Sequence, residues 1–189
     1  MNDTKSLIES FKDFEPARVA RNGQSYQETY LFIERELNRY LREYAKIMRM
    51  NQTARLIRDQ IDGLLRRYHG YMIQGKYGAH YRQVGLQDKD GNVFEHVIPA
   101  RTVRNMLISG VITIPQALNS PTCIIDQTAN SRLGKLKLSK KTPNGWYFWQ
   151  RYRDLGIEVE TFDHTLVDQS TWDLAQHWDY FSVNEKTVS

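Results

Sequence analysis

From Tyr30 onward, apolar side chains recur every three or four residues: Tyr30, Ile33, Leu37, Tyr40, Leu41, Tyr44, Ile47 and Met48, then Ile57, Ile61, Leu64, Leu65 and Tyr68. That spacing follows the period of an α-helix, so it commits much of the chain before Gly70 to two long amphipathic helices, broken near Asn51. Ser25-Tyr26-Gln27-Glu28 reads as a capping box that starts the first of them. Their polar faces carry Arg35, Arg39, Arg42, Arg49, Arg55, Arg58, Arg66 and Arg67 with fewer acids between. A solvated face laced with intrahelical ion pairs explains these arginines, with phosphate binding as the competing reading.

Downstream the pattern changes. Gly70, Gly75 and Gly78 punctuate a tyrosine-rich connector. Tyr81 to Leu86 and Asn92 to Ile98 have strand character on either side of Asp88-Lys89-Asp90-Gly91, which predicts a hairpin. Pro99 stops the second strand, Arg101 to Ile108 forms a short helix closed by Gly110, and Thr113 to Leu118 adds another helical turn. Thr122-Cys123-Ile124-Ile125 is a short apolar strand, and Asp126 caps a helix carrying Asn130 in its first turns. On that helix Asn130 and Lys137, seven positions apart, share a face, with Ala129, Leu133 and Leu136 as the buried stripe. Thr142-Pro143 opens an aromatic helix through Trp146, Tyr147, Trp149 and Tyr152 that ends at Gly156, its rings read as packing residues rather than base-stacking ones. Ser170 to Asp173 opens a last helix with Leu174, Trp178 and Phe181, and Asn184 to Ser189 reads as a frayed tail. The fold class expected is α+β, mainly helical, in three regions: residues 1–70 helical, 71–142 a small strand-containing core, and 143–189 a C-terminal extension of aromatic helices.

Composition narrows the chemistry. Cys123 is the only cysteine, which excludes an internal disulfide and a paired-cysteine zinc knuckle, so any metal must rely on oxygen and nitrogen ligands. No apolar run spans a membrane and no signal-peptide core follows the polar start, so a cytoplasmic protein is expected. The net charge of +4 favours an anionic partner only mildly. No Walker loop, dinucleotide fingerprint or serine-hydrolase elbow is present. Either a dimer or packing within one chain would cover the apolar faces of the long helices.

Chemistry concentrates at Glu95-His96-Val97-Ile98-Pro99, where a carboxylate and an imidazole stand side by side at a strand end. The carboxylate is a hard ligand for Mg²⁺ or Mn²⁺, and the imidazole can deprotonate a water near neutral pH. A strand bearing this pair, a loop, a second strand at Cys123 to Ile125 and then a helix with Asn130 resembles, over about residues 81–137, the ββα-metal or HNH endonuclease motif. Its nearest form is the endonuclease VII type, with a carboxylate-His pair followed by Asn. The resemblance implies a ββα-metal-like core in which His96 is the general base, Glu95 and Asn130 are the metal ligands, and Asn119 tethers the loop to backbone. It also implies hydrolysis of phosphodiester bonds in DNA or RNA with Mg²⁺ or Mn²⁺, and a phage or mobile-element origin. Arg101, Arg104, Arg132, Lys135 and Lys137 are the candidate phosphate contacts. Successive strand residues point to opposite faces, so Glu95 and His96 can share a metal only where the strand bends or ends, which Pro99 permits. The alternative from a different class is a non-catalytic nucleic-acid- or protein-binding module, including a degenerate HNH scaffold.

Overall fold

The computed structural model describes residues 6–11, 24–47, 51–70, 79–87, 91–139 and 147–184. After the short α1 (Leu7–Ser10), the periodic apolar series becomes α2 (Gln24–Ile47) and α3 (Asn51–Tyr68). The two helices pack on each other through Tyr30, Ile33, Leu37, Ile57, Ile61, Leu64 and Leu65, all buried. Helix α2 already includes Ser25, so it starts earlier than the capping box predicts, and the Ser25 side chain lies outside the described residues. Met48, Gly75, Gly78 and the Asp88 to Asp90 turn lie outside them too, as do Lys140, Lys141, the Thr142-Pro143 helix start, Trp146 and the tail from Glu185.

The remaining elements are β1 (Tyr81–Gln83), β2 (Val93–His96), α4 (Ala100–Ile108), α5 (Ile114–Leu118), β3 (Thr122–Ile125), α6 (Gln127–Lys135), α7 (Gln150–Arg153), β4 (Val159–Thr161) and α8 (Leu174–Asn184). The chain is therefore α+β and mainly helical. Its one sheet among the described residues has the order β2-β3-β1-β4. The expected hairpin between β1 and β2 does not form. Strand β3 lies between them, parallel to β1 and antiparallel to β2, with Glu95 opposite Cys123 and His96 opposite Thr122. Two local causes are visible. Gly85 at φ 72° and the Leu86 N–H to Gln83 carbonyl bond of 3.2 Å turn the chain out of β1 after three residues. Strand β3 is nearly all apolar and has no polar face to give to water, so it takes an inner position. Strand β4 pairs antiparallel with β1, where Arg82 lies opposite Glu160. That strand was not foreseen, although Ile157, Val159 and Thr161 alternate with Glu158 and Glu160 as a half-buried strand should.

Local capping rules set most of the helix ends. Thr113 and Gln116 form a capping box on α5, and the Asp126 carboxylate accepts from the Ala129 N–H at 2.6 Å to start α6. The aromatic segment is less helical than its spacing predicts: Tyr147 to Trp149 form a turn and only Gln150–Arg153 is helix. Helix α8 starts at Leu174 behind Asp173, whose carboxylate accepts from Gln176 N–H while Gln176 returns a bond to Asp173 N–H, both at 2.8 Å. Residues from all three expected regions, from Phe11 and Leu37 through Ile125 to Trp178, enter one buried cluster. No helix of the described residues is long and apolar enough to cross a membrane.

Three helices end in the same way, with a left-handed residue followed by an apolar one. Val111 N–H reaches the Met106 carbonyl at 2.9 Å past Gly110 (φ 71°), and Ile157 N–H reaches the Tyr152 carbonyl at 2.9 Å past Gly156 (φ 61°). Helix α6 closes identically, with Leu138 N–H on the Leu133 carbonyl at 2.9 Å, but its left-handed residue is Lys137 (φ 60°). This closure corrects two expectations: Lys137 lies beyond α6 rather than on the face of Asn130, and Leu138 is buried where Leu136, at 57% exposure, is not. A Cβ in the left-handed region carries a steric cost that glycine lacks, offset in part by glycine's larger unfolded-state entropy. Lys137→Gly is therefore expected to stabilise the protein by about 0.5–1 kcal/mol, read as a higher urea midpoint with an unchanged slope.

Candidate functional site

Glu95 and His96 end β2, and strand alternation sends their side chains to opposite faces of the sheet. On one face, the Glu95 carboxylate meets Arg151 and Tyr152 of α7. Arg151 Nη2 stands 2.7 Å from Oε1 and 2.6 Å from Oε2, and the Tyr152 hydroxyl donates to Oε2 at 2.9 Å. Arg151, at 0% exposure, also donates through Nε to the Val97 carbonyl at 2.9 Å, through Nη1 to the Leu138 carbonyl at 2.6 Å, and through Nη2 to the His96 carbonyl. Burial pushes the Glu95 carboxyl above its ordinary range, and the guanidinium and phenol pull it back. Cys123, opposite Glu95 in the sheet, is fully buried, and burial with the nearby carboxylate pushes its thiol well up, away from nucleophile chemistry.

On the other face, His96 turns toward α3. Its ring lies 5.4 Å from that of Phe94, two residues back on the same side, and its Nε2 is 3.0 Å from Nδ1 of His69. His69 Nε2 is 3.1 Å from the carbonyls of both Ala117 and Leu118. Carbonyls only accept, so His69 Nε2 carries the proton and its Nδ1 accepts; His96 Nε2 then donates and His96 Nδ1 keeps the lone pair. Burial holds both rings neutral: it lowers His69 to about 4, and it lowers His96 well below the usual histidine range with His69 and Arg66 adding to the effect.

The pair expected at one metal thus diverges, Glu95 to α7 and His96 to α3. Asn130 sits half-buried in the first turns of α6, directly after β3, with no side-chain hydrogen bond to a described residue. The donors do not fit Mg²⁺ or Mn²⁺ here. The carboxylate that would supply the charge is already neutralised by a guanidinium at 2.6 Å, and its oxygens are the acceptors for Arg151 and Tyr152. Among the described residues, no three His, Cys, Asp or Glu side chains gather as a metal site would require. Asn119 closes α5, its Nδ2 donating to the Pro115 carbonyl at 2.8 Å while its own carbonyl accepts from His177 and Trp178. Asp163-His164, a second adjacent acid and imidazole, lies in an exposed turn where His164 Nδ1 is 3.1 Å from Glu160.

The candidate phosphate contacts separate as well. Arg101, Arg132, Lys135 and Lys137 are exposed, whereas Arg104 is buried beside Asn105 and Asp62. His69, Arg151 and Tyr152 were not foreseen as site residues. Arg151 left one trace in the sequence, a charged residue set between Trp149 and Tyr152 in an otherwise aromatic segment; His69 left none, since its role depends on carbonyls far along the chain. No protein-family model matches the chain, and neither the curated proteins nor the solved structures contain a match to it.

Two outcomes follow for stability. Glu95→Gln keeps an acceptor for Tyr152 and is expected to cost about 1–3 kcal/mol, while Arg151→Met strands a carboxylate and three carbonyls and is expected to cost about 3–5 kcal/mol, both by urea unfolding. The histidines set the acid limb. His69 and His177 are held near 4 and 3 when folded, so the unfolded chain takes up protons first as pH falls below about 6.5. Stability is expected to be flat in these groups above that pH, and to fall by about 1 kcal/mol per pH unit for each between there and pH 4, measured as urea midpoints across a pH series.

Proposed function

We propose that the chain is a non-catalytic nucleic-acid-binding module, a strand-strand-helix scaffold of HNH-like order in which Glu95 holds Arg151 instead of a metal ion. The observation that carries the reading is the surface of α6 and the segment after it. Arg132, Lys135 and Lys137 are exposed, none forms an ion pair with a described residue, and residues 127–141 contain no Asp or Glu. Arg39 of α2 differs, held by Glu36 at 2.7 Å and Glu43 at 3.2 Å. Exposed lysines and arginines without internal partners bind phosphates by releasing counterions, so such a surface supports binding with little sequence preference.

A second reading, the metal-dependent endonuclease with His96 as base, is favoured by one observation. The bond to His69 fixes the His96 ring and leaves Nδ1 as its acceptor, the tautomer a general base needs. One experiment compares the two: DNA and RNA oligonucleotides incubated with the protein and Mg²⁺ or Mn²⁺, beside His96→Ala. Binding without cleavage is expected. Cleavage that disappears in His96→Ala while the variant stays folded would replace the binding reading with the nuclease. For the binding itself, Lys135→Gln and Arg132→Gln are each expected to lower the steepness of log affinity against log salt by about one.

A further inference from the structure

The seam between α3 and α4 holds charge that the protein does not balance. Asp62 of α3 accepts from Arg66 Nε at 2.6 Å through one oxygen. Its other oxygen, Oδ1, is buried without a hydrogen-bond partner, and Arg104 Nη1 stands 3.9 Å from it, too far to donate. Arg104 spends Nε and Nη2 on Asn105 Oδ1 at 3.2 and 2.8 Å, so Nη1 has no hydrogen bond to a described residue. Arg101, one turn back on α4, and Arg58, one turn back from Asp62 on α3, form no ion pair with a described residue. Both lie close enough to oppose the Arg104 charge; with burial as the larger cause, they push that guanidinium below its usual range, against Asp62 and Asp59. Arg66 and Arg104 thus face the Asp62 carboxylate, and Arg58, Arg101 and Asp59 lie near enough to act on the Arg104 charge, four guanidinium groups to two carboxylates.

Burying a guanidinium is costly unless an anion compensates it, and here the internal anion is outnumbered and, at 3.9 Å, beyond hydrogen-bond distance. From this geometry we infer that the α3/α4 seam is a phosphate-binding groove for a nucleic-acid strand, in which Arg58 and Arg101 reach the phosphate oxygens, Arg104 Nη1 lines the floor, and Asp62 competes with the bound phosphate. The inference rests on the nucleic-acid reading above and adds a second contact track to that of α6. It also gives the α3 arginines a role beyond a solvated helical face.

The test is fluorescence anisotropy of labelled DNA and RNA oligonucleotides with the full chain across a salt series. Arg58→Gln and Arg101→Gln are each expected to weaken binding several-fold and to lower the salt slope by about one. Asp62→Asn is expected to tighten binding several-fold, because it removes the competing anion and releases Arg66. Glu158→Gln makes the same charge change at an exposed site and is expected to leave affinity near the parent. Far-ultraviolet circular dichroism confirms that each variant folds. If Lys135→Gln weakens binding while Arg58→Gln and Arg101→Gln do not, the groove is wrong and the nucleic-acid reading stands. Equal tightening by Asp62→Asn and Glu158→Gln would also overturn the groove, since only net charge would matter. No binding by the parent chain would overturn both.

Discussion

A single guanidinium ties the sheet to the segments that follow it. Arg151 binds the Glu95 carboxylate, the carbonyls of His96 at the end of β2 and of Val97 just past it, and the carbonyl of Leu138 just past α6. Those carbonyls belong to chain leaving regular structure, where no ladder or helix partner is available to satisfy them. An arginine presents five N–H donors in a flat fork, and no other side chain could reach so many acceptors from one buried position. The carboxylate follows from the arginine rather than the reverse: once a cation is buried to organise these strand and helix exits, a buried anion must neutralise it.

This order of causes changes the meaning of an acid beside a histidine. Side by side in sequence, Glu95 and His96 read as two halves of a catalytic site; in space they serve two different packing problems on opposite faces of one strand. Glu95 secures α7. His96 continues a line of donors that runs through His69 to the carbonyls at the end of α5, so both imidazoles are held neutral and oriented. The outcome is a rigid strand end whose polar atoms face protein partners.

Much of the helical architecture was legible because its determinants are local. The Thr113 and Asp126 caps, the glycine stops at Gly110 and Gly156, and the long period in α2 and α3 need only neighbouring residues to act. Strand order was not legible. Alternation tells which face of a strand is buried, not which strand lies beside it, and the two strands nearest in sequence, β1 and β2, are separated by β3. The divergence of Glu95 and His96 could be anticipated from strand geometry alone, whereas their partners could not: His69 lies 27 residues from His96 and Arg151 lies 56 from Glu95. A distant partner writes no local pattern, so Arg151 reads as one more charge and His69 as an isolated imidazole.

The strand order also governs when the sheet can form during synthesis. Strand β1 pairs with Cys123 and Ile124 on one side and with Val159 to Thr161 on the other, so it emerges from the ribosome long before either neighbour exists. Contacts across such separations form slowly, since loop closure must precede them. Until β3 and then β4 arrive, β1 has two unpaired edges and Tyr81 lacks the partners that bury it, Trp149 and His177. A nascent chain stalled before residue 122 would therefore hold its first helices but none of its sheet, leaving β1 as the segment most in need of protection from other strands.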